Sequence, residues 1–85
     1  MKPVWTERFL GDFLKLPAQV QEKTLRKLRY LAQDMRHPSL RVKRLRRRAD
    51  VYEGSVNMGY RFLFRVTGDK IVLLRIGRHD ILDKG

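Results

Sequence analysis

The sequence predicts an α+β domain: two N-terminal helices packed on a four-stranded antiparallel β-sheet. Three observations predict it. Up to Pro38 the apolar residues recur at the three-to-four spacing of one helix face, and after it they alternate with period two. The alternating half is rich in β-branched and aromatic residues. It is also cut by two hairpin signals, "VTGDKI" with Gly68–Asp69 as its turn and "NMGY" around Gly59.

Thr6 has the residue type of an N-cap, and Trp5, Phe9, Leu10, Phe13 and Leu14 follow at helical spacing, with Gly11 weakening this short helix. Pro17 suits the start of a second helix, because its missing N–H would be unpaired there anyway. Val20, Thr24, Leu28, Leu31 and Met35 form that helix's apolar stripe, widened by Leu25 and Ala32, while Gln19, Lys23, Arg26, Lys27 and Arg29 lie away from it. His37–Pro38 is expected to end it. A short edge strand over residues 41–45 comes next, with a short helix as the other reading, then a loop over 46–50. Three strands follow, over 51–57, 60–67 and 70–77. Tyr60, Phe62, Phe64 and Val66 share one face of the middle strand, and Arg61, Leu63, Arg65 and Thr67 the other. In the last strand Val72, Leu74 and Ile76 are expected to oppose Ile71, Leu73 and Arg75.

The length of 85 residues fits one domain spanning 1–85 with one modest core. There is no cysteine, which excludes a disulfide framework and the usual zinc spacings. With two histidines and scattered carboxylates, no metal constellation is visible, and neither a glycine-rich phosphate loop nor a Ser/His/Asp set is present. No metal or other cofactor is therefore expected. No apolar run reaches membrane-span length and the first ten residues lack a signal-peptide core, so a cytoplasmic protein without a membrane partner is expected. The net charge of +11 favours a polyanion.

Chemistry-bearing residues fall in three places. "RVKRLRRR" sets Arg41, Lys43, Arg44, Arg46, Arg47 and Arg48 around Val42 and Leu45, and between Arg36 and Arg48 there is no acid. A solvated face normally interleaves acids, so an unopposed cluster points to a nucleic-acid partner. Val42 and Leu45 break strict alternation if both face one core. Arg61 and Arg65, with Arg75 from the next strand, would make an anion site of three guanidinium groups; solvent-facing arginines, or pairing with Glu53 across strands, is the other reading. "IGRHDIL" places Arg78, His79 and Asp80 at a strand end, where His79 is either a general acid or base or an ordinary surface histidine.

The order "LPAQVQEKTLRKLRYLAQD", then "RVKRL", then "VYEGSVNMGYRFLFRVTGDKIVLLRIGRHDIL" resembles the RelE/ParE superfamily of bacterial and archaeal type II toxins. The resemblance runs from about Phe9 to Leu82 and implies the same two-helix, four-strand fold. RelE-like members cut mRNA in the ribosomal A site without a metal. The ribose 2′-OH attacks the adjacent phosphate and leaves cyclic-phosphate and 5′-OH ends. ParE-like members inhibit DNA gyrase and catalyse nothing. Carried over by position, Arg61 in "GYRF" matches the arginine at the scissile phosphate. Arg41, Lys43 and Arg44 match basic residues that bind RNA and assist proton transfer. Arg78 and His79 match a late Arg or His that serves as acid or base. The resemblance implies a ribosome-dependent endoribonuclease with Arg61, His79 and Lys43 catalytic. Arg41, Arg44, Arg46, Arg47, Arg48, Arg65, Arg75 and Arg78 would bind RNA. It also implies an acidic antitoxin encoded adjacently, beside ribosome and mRNA as partners. A gyrase inhibitor and a plain RNA-binding module are the alternatives. The chain departs from several ribonuclease members at its tail, "ILDKG", which lacks their base-stacking tyrosine.

Overall fold

A computed structural model describes residues 1–46, 48 and 50–82. The elements run β1 (Lys2–Trp5), α1 (Glu7–Leu14), α2 (Ala18–Gln33), a 3₁₀ turn (Pro38–Leu40), β2 (Lys43–Arg44), β3 (Val51–Ser55), β4 (Tyr60–Thr67), β5 (Lys70–Arg78) and α3 (His79–Leu82). The sheet has five strands in the order β1-β5-β4-β3-β2. The predicted antiparallel meander is present, with β2 at its edge and Gly68 supplying the positive φ, 61°, of the β4–β5 turn.

The four-strand expectation is corrected by β1, which pairs parallel with β5 from Lys2↔Lys70 to Trp5↔Leu73. This strand is short, carries Lys2 and Pro3, and finds its partner almost a whole chain away. An edge position tolerates the proline's missing donor. Trp5 therefore lies on a strand rather than a helix. Its ring still joins the predicted apolar group, edge-on to Phe9 at 4.8 Å and Phe13 at 4.9 Å.

Thr6 caps α1 as its residue type predicts. Its Oγ1 accepts from the Phe9 N–H at 3.1 Å and donates to the Leu73 carbonyl at 2.8 Å, pinning the helix start to β5. Phe9 is fully buried, whereas Leu10 and Leu14 are 45% and 66% exposed. On α2, Thr24, Leu28 and Leu31 are buried and Leu25 faces outward. The helix ends at Gln33, not at His37–Pro38. Asp34 takes an extended φ of −160° and its Oδ1 accepts the Arg36 N–H at 2.9 Å, a local bond that competes with another helical turn.

A second correction concerns parity. Leu63 pairs with Arg75 but Phe64 pairs with Leu73, so Leu74 is an extra residue in β5. Ile71, Leu73 and Ile76 are consequently all buried on the helix side with Phe62 and Phe64, and not on opposing faces. Asp12 of α1 holds this bulge: Oδ2 accepts from Arg75 Nε at 2.7 Å and from the Ile76 N–H at 3.1 Å.

The core lies in two parts. The larger, between helices and sheet, contains Phe9, Leu28, Leu31, Leu40, Val56, Phe62, Phe64, Ile71, Leu73 and Ile76. The smaller contains Val51, Leu63 and Leu82, with α3 folded over the other face. Val42 packs on the first and Leu45 on the second, so the irregular spacing within "RVKRL" is that of a strand anchored on both faces.

Candidate nucleic-acid interface

Alternation along β4 sends Phe62 and Phe64 into the main core and turns Arg61, Leu63 and Arg65 to the opposite face. Lys43 stands opposite Glu53 on that face, Glu53 opposite Leu63, and Arg61 opposite Ser55. Glu53 is buried and lies between two cations, 3.6 Å from Lys43 Nζ and 3.7 Å from Arg61 Nε. A carboxylate withdrawn from water needs opposite charge nearby, and here two cations supply it. The Arg61 guanidinium is further fixed by donating Nη1 to the carbonyls of Asn57 and Tyr60. Its side chain is 22% exposed against 68% for Lys43, so one cation is held and the other reaches into solvent.

The turn that fixes Arg61 is itself tied down. Asn57 Oδ1 accepts from the N–H groups of Gly59 and Tyr60, both at 2.9 Å. The Gly59 carbonyl accepts the His79 N–H at 3.2 Å, which starts α3 beside the same turn. Arg61 stands opposite Gly77 and Tyr60 opposite Arg78, so the exposed His79 comes two residues after the partner of the fixed arginine. Arg78 reaches over the Tyr60 ring, 5.9 Å from its centroid, with Nε 3.9 Å from Asp80 Oδ1.

The expected trio of anion-binding arginines is not assembled. Each of the three faces a carboxylate: Arg61 faces Glu53, Arg65 Nε lies 2.9 Å from Asp50 Oδ2, and Arg75 is bound through Nε and Nη2 to Asp12. The Arg65–Asp50 contact is off the N–H direction, so it is an electrostatic contact without a hydrogen bond. Arg41, Arg44, Arg46 and Arg48 are exposed along the β2 edge, and Arg47 lies outside the described residues. Arg44 belongs to the helix side: it donates to Tyr52 Oη at 3.2 Å, while Tyr52 stacks on Phe64 at 5.5 Å. The basic stretch thus serves two faces of one edge, Lys43 on one and Arg44 on the other. The tail from Asp83 to Gly85 also lies outside the described residues. Among the described residues, no group of three potential metal ligands is found and no helix is long and apolar enough to cross a membrane.

Glu53 is the residue that sequence reasoning undervalued, treating it only as a possible partner of the arginines. The available signal was its isolation, since it is the single acid between Val51 and Gly68.

Helices packed on a mixed five-stranded sheet make this an α+β fold of the RelE/ParE kind. The chain belongs to the ParE toxin family of type II toxin–antitoxin systems (parDE), whose model matches residues 4–82. It is similar in structure to the YoeB/ParE toxin from Agrobacterium tumefaciens, with a TM-score of 0.79, 21% identity, and coverage of 93% of this chain and 99% of that one. For the RelBE2 toxin–antitoxin complex of Mycobacterium tuberculosis the values are 0.77, 22%, 92% and 96%. For the intact RelBE complex of E. coli they are 0.73, 24%, 91% and 94%. At these identities the likeness is one of fold. No curated protein matches the sequence.

Proposed function

We propose that this toxin is a metal-independent, ribosome-dependent mRNA endoribonuclease that stops translation. The observation that carries the reading is the Lys43–Glu53–Arg61 constellation, with His79 anchored beside the turn that fixes Arg61. Cleavage by an internal 2′-hydroxyl requires a proton taken from that oxygen, an in-line attack on phosphorus, and a proton delivered to the departing 5′-oxygen. His79 acts as general acid or base in this exchange and the exposed Lys43 assists it. Arg61 meets the charge that develops on the phosphoryl oxygens. Because the guanidinium is already oriented by Glu53 and two carbonyls, little reorganisation is required as that charge appears. The P–O5′ bond breaks as the new P–O2′ bond forms, giving a cyclic phosphate and a 5′-hydroxyl.

The exposed arginines at 41, 44, 46, 48 and 78 supply the electrostatic grip on RNA. Arg65 and Arg75, already facing Asp50 and Asp12, contribute less to it. Arg47 belongs to the same basic run by sequence. A cognate antitoxin, acidic and encoded adjacently, is the second partner. Solved neighbours that are toxin–antitoxin complexes support this.

The test is in vitro translation followed by mapping of mRNA ends. New 5′-hydroxyl ends that vanish with Arg61→Gln are expected, and intact message with wild-type protein overturns the reading. The matching family is described as a ParE toxin, which favours a second reading as a non-enzymatic gyrase inhibitor. Supercoiling blocked by the purified protein while translation proceeds would select that reading.

A further inference from the structure

A groove of about 430 Å³ opens where α2 gives way to β2, lined by Met35, Arg36, His37, Pro38, Arg41 and Val42. Its volume falls in the ~300–1,000 Å³ range of clefts that hold small ligands. Met35, Pro38 and Val42 give it an apolar floor, and Arg36 and Arg41 are exposed cations. The groove is on the helix side of the β2 edge, since Val42 packs on the main core, whereas Lys43 stands with Glu53 on the other face. It is therefore separate from the Lys43–Glu53–Arg61 constellation.

Three features mark it as built and not merely open. The His37 ring lies flat on Tyr30, with centroids 4.3 Å apart and planes 2° from parallel. Its Nδ1 accepts the Ser39 N–H at 3.2 Å and lies 2.8 Å from Ser39 Oγ, so the ring is fixed from its edge as well as its face. Arg41 is the one non-glycine residue with positive φ among the described residues, at φ 48° and ψ 48°. An arginine held in that uncommon conformation is a local strain, and such strain concentrates at ligand sites. The surrounding field is positive as well. Lys27, whose Nζ donates to the Ser39 carbonyl at 3.0 Å, is held below the ordinary lysine range by burial and then by the charges of Lys23, Arg26 and Arg41.

We propose that this groove is a nucleotide subsite for single-stranded RNA, with Arg36 and Arg41 on the phosphates and one nucleobase on the Met35–Pro38–Val42 floor. The identity of the polymer rests on the RNA reading above, while the subsite itself needs no cleavage. Two residues beyond Val42 on the same side, Arg44 lies 5.6 Å from the Tyr52 ring centroid and extends the cationic path along the edge. Cations tracking a backbone beside exposed rings and apolar surface are how single strands are held without sequence readout.

The experiment measures binding of the purified protein to an eight-nucleotide 2′-O-methyl RNA, which cannot be cleaved, across a salt series. The variant Arg36→Gln/Arg41→Gly removes both cations, and glycine accepts the positive φ, so thermal unfolding should show an intact fold. An equal-charge control, Lys2→Gln/Lys70→Gln, removes two cations from the opposite edge of the sheet. The groove variant should weaken binding about tenfold and flatten the salt dependence by about 0.7 per contact, about 1.4 in all. The control should leave both within error. Replacing one nucleobase by an abasic linker should lower wild-type affinity but not that of the groove variant. Equal weakening by both double variants, or none by the groove variant, overturns the subsite. An equal effect on duplex DNA overturns the single-strand assignment. Intact mRNA in the translation assay would remove the cleavage reading while leaving this result standing.

Discussion

Glu53 sets the character of the interface at the scale of single residues. A basic surface meant only for polyanions has no need of a buried carboxylate, yet this one holds Lys43 and Arg61 apart and oriented. Glu53→Gln keeps the volume and removes the charge, leaving two cations to repel. Cleavage in the translation assay should fall at least about tenfold, the cost of losing roughly 1.4 kcal/mol of transition-state stabilisation. Unchanged cutting would show that Arg61 needs no such support. Gly54, next along the strand, answers to packing instead. A Cβ built there would lie 2.3 Å from Phe62 Cζ, against the tip of a fully buried ring. Gly54→Ala should therefore destabilise the fold by about 1–3 kcal/mol in urea unfolding, the usual cost of overpacking a core. That Arg61 turns away from the main core and that His79 follows the last strand were legible in the alternation of "GYRF" and the end of "IGRHD". The role of Glu53 was not, because cross-strand register decides which residues meet and sequence spacing does not state it.

Among the elements, the helices and the meander were legible because each carries its own period. What the sequence hid depends on distant partners. The strand β1 is four residues with a proline, and it exists only because β5 offers an edge. The bulge at Leu74 reverses the parity of β5, so the alternation that correctly assigned β4 misassigned the strand beside it. Asp12 secures that bulge from α1 by accepting from both Arg75 Nε and the Ile76 N–H. Asp12→Ala should cost about 1–3 kcal/mol, because a half-buried guanidinium and a backbone donor both lose their acceptor. Equilibrium unfolding that is unchanged within error would contradict this account of the α1–β5 joint. The cap at Thr6 should contribute less, with Thr6→Ala lowering stability by about 1 kcal/mol in the same measurement.

For the whole molecule, the net charge of +11 is distributed so that structure and function divide it. Arg65 and Arg75 face acids, while the β2 edge and the α2–β2 corner leave their cations exposed. RNA affinity should accordingly fall linearly in log–log form as salt rises, and an acidic antitoxin should suppress it by covering the same edge. The central claim of the proposed function is that this toxin cuts message with Arg61 on β4 and His79 at the start of α3, beside the turn that fixes Arg61. The most direct measurement maps 5′-hydroxyl ends on mRNA during in vitro translation with wild-type protein, Arg61→Gln and His79→Ala. The account predicts new ends with the wild type and a loss of at least about a hundredfold in each variant, in the ~10²–10⁴ range for general acid–base groups. Message left intact by the wild-type protein, or cut equally by all three, would contradict it.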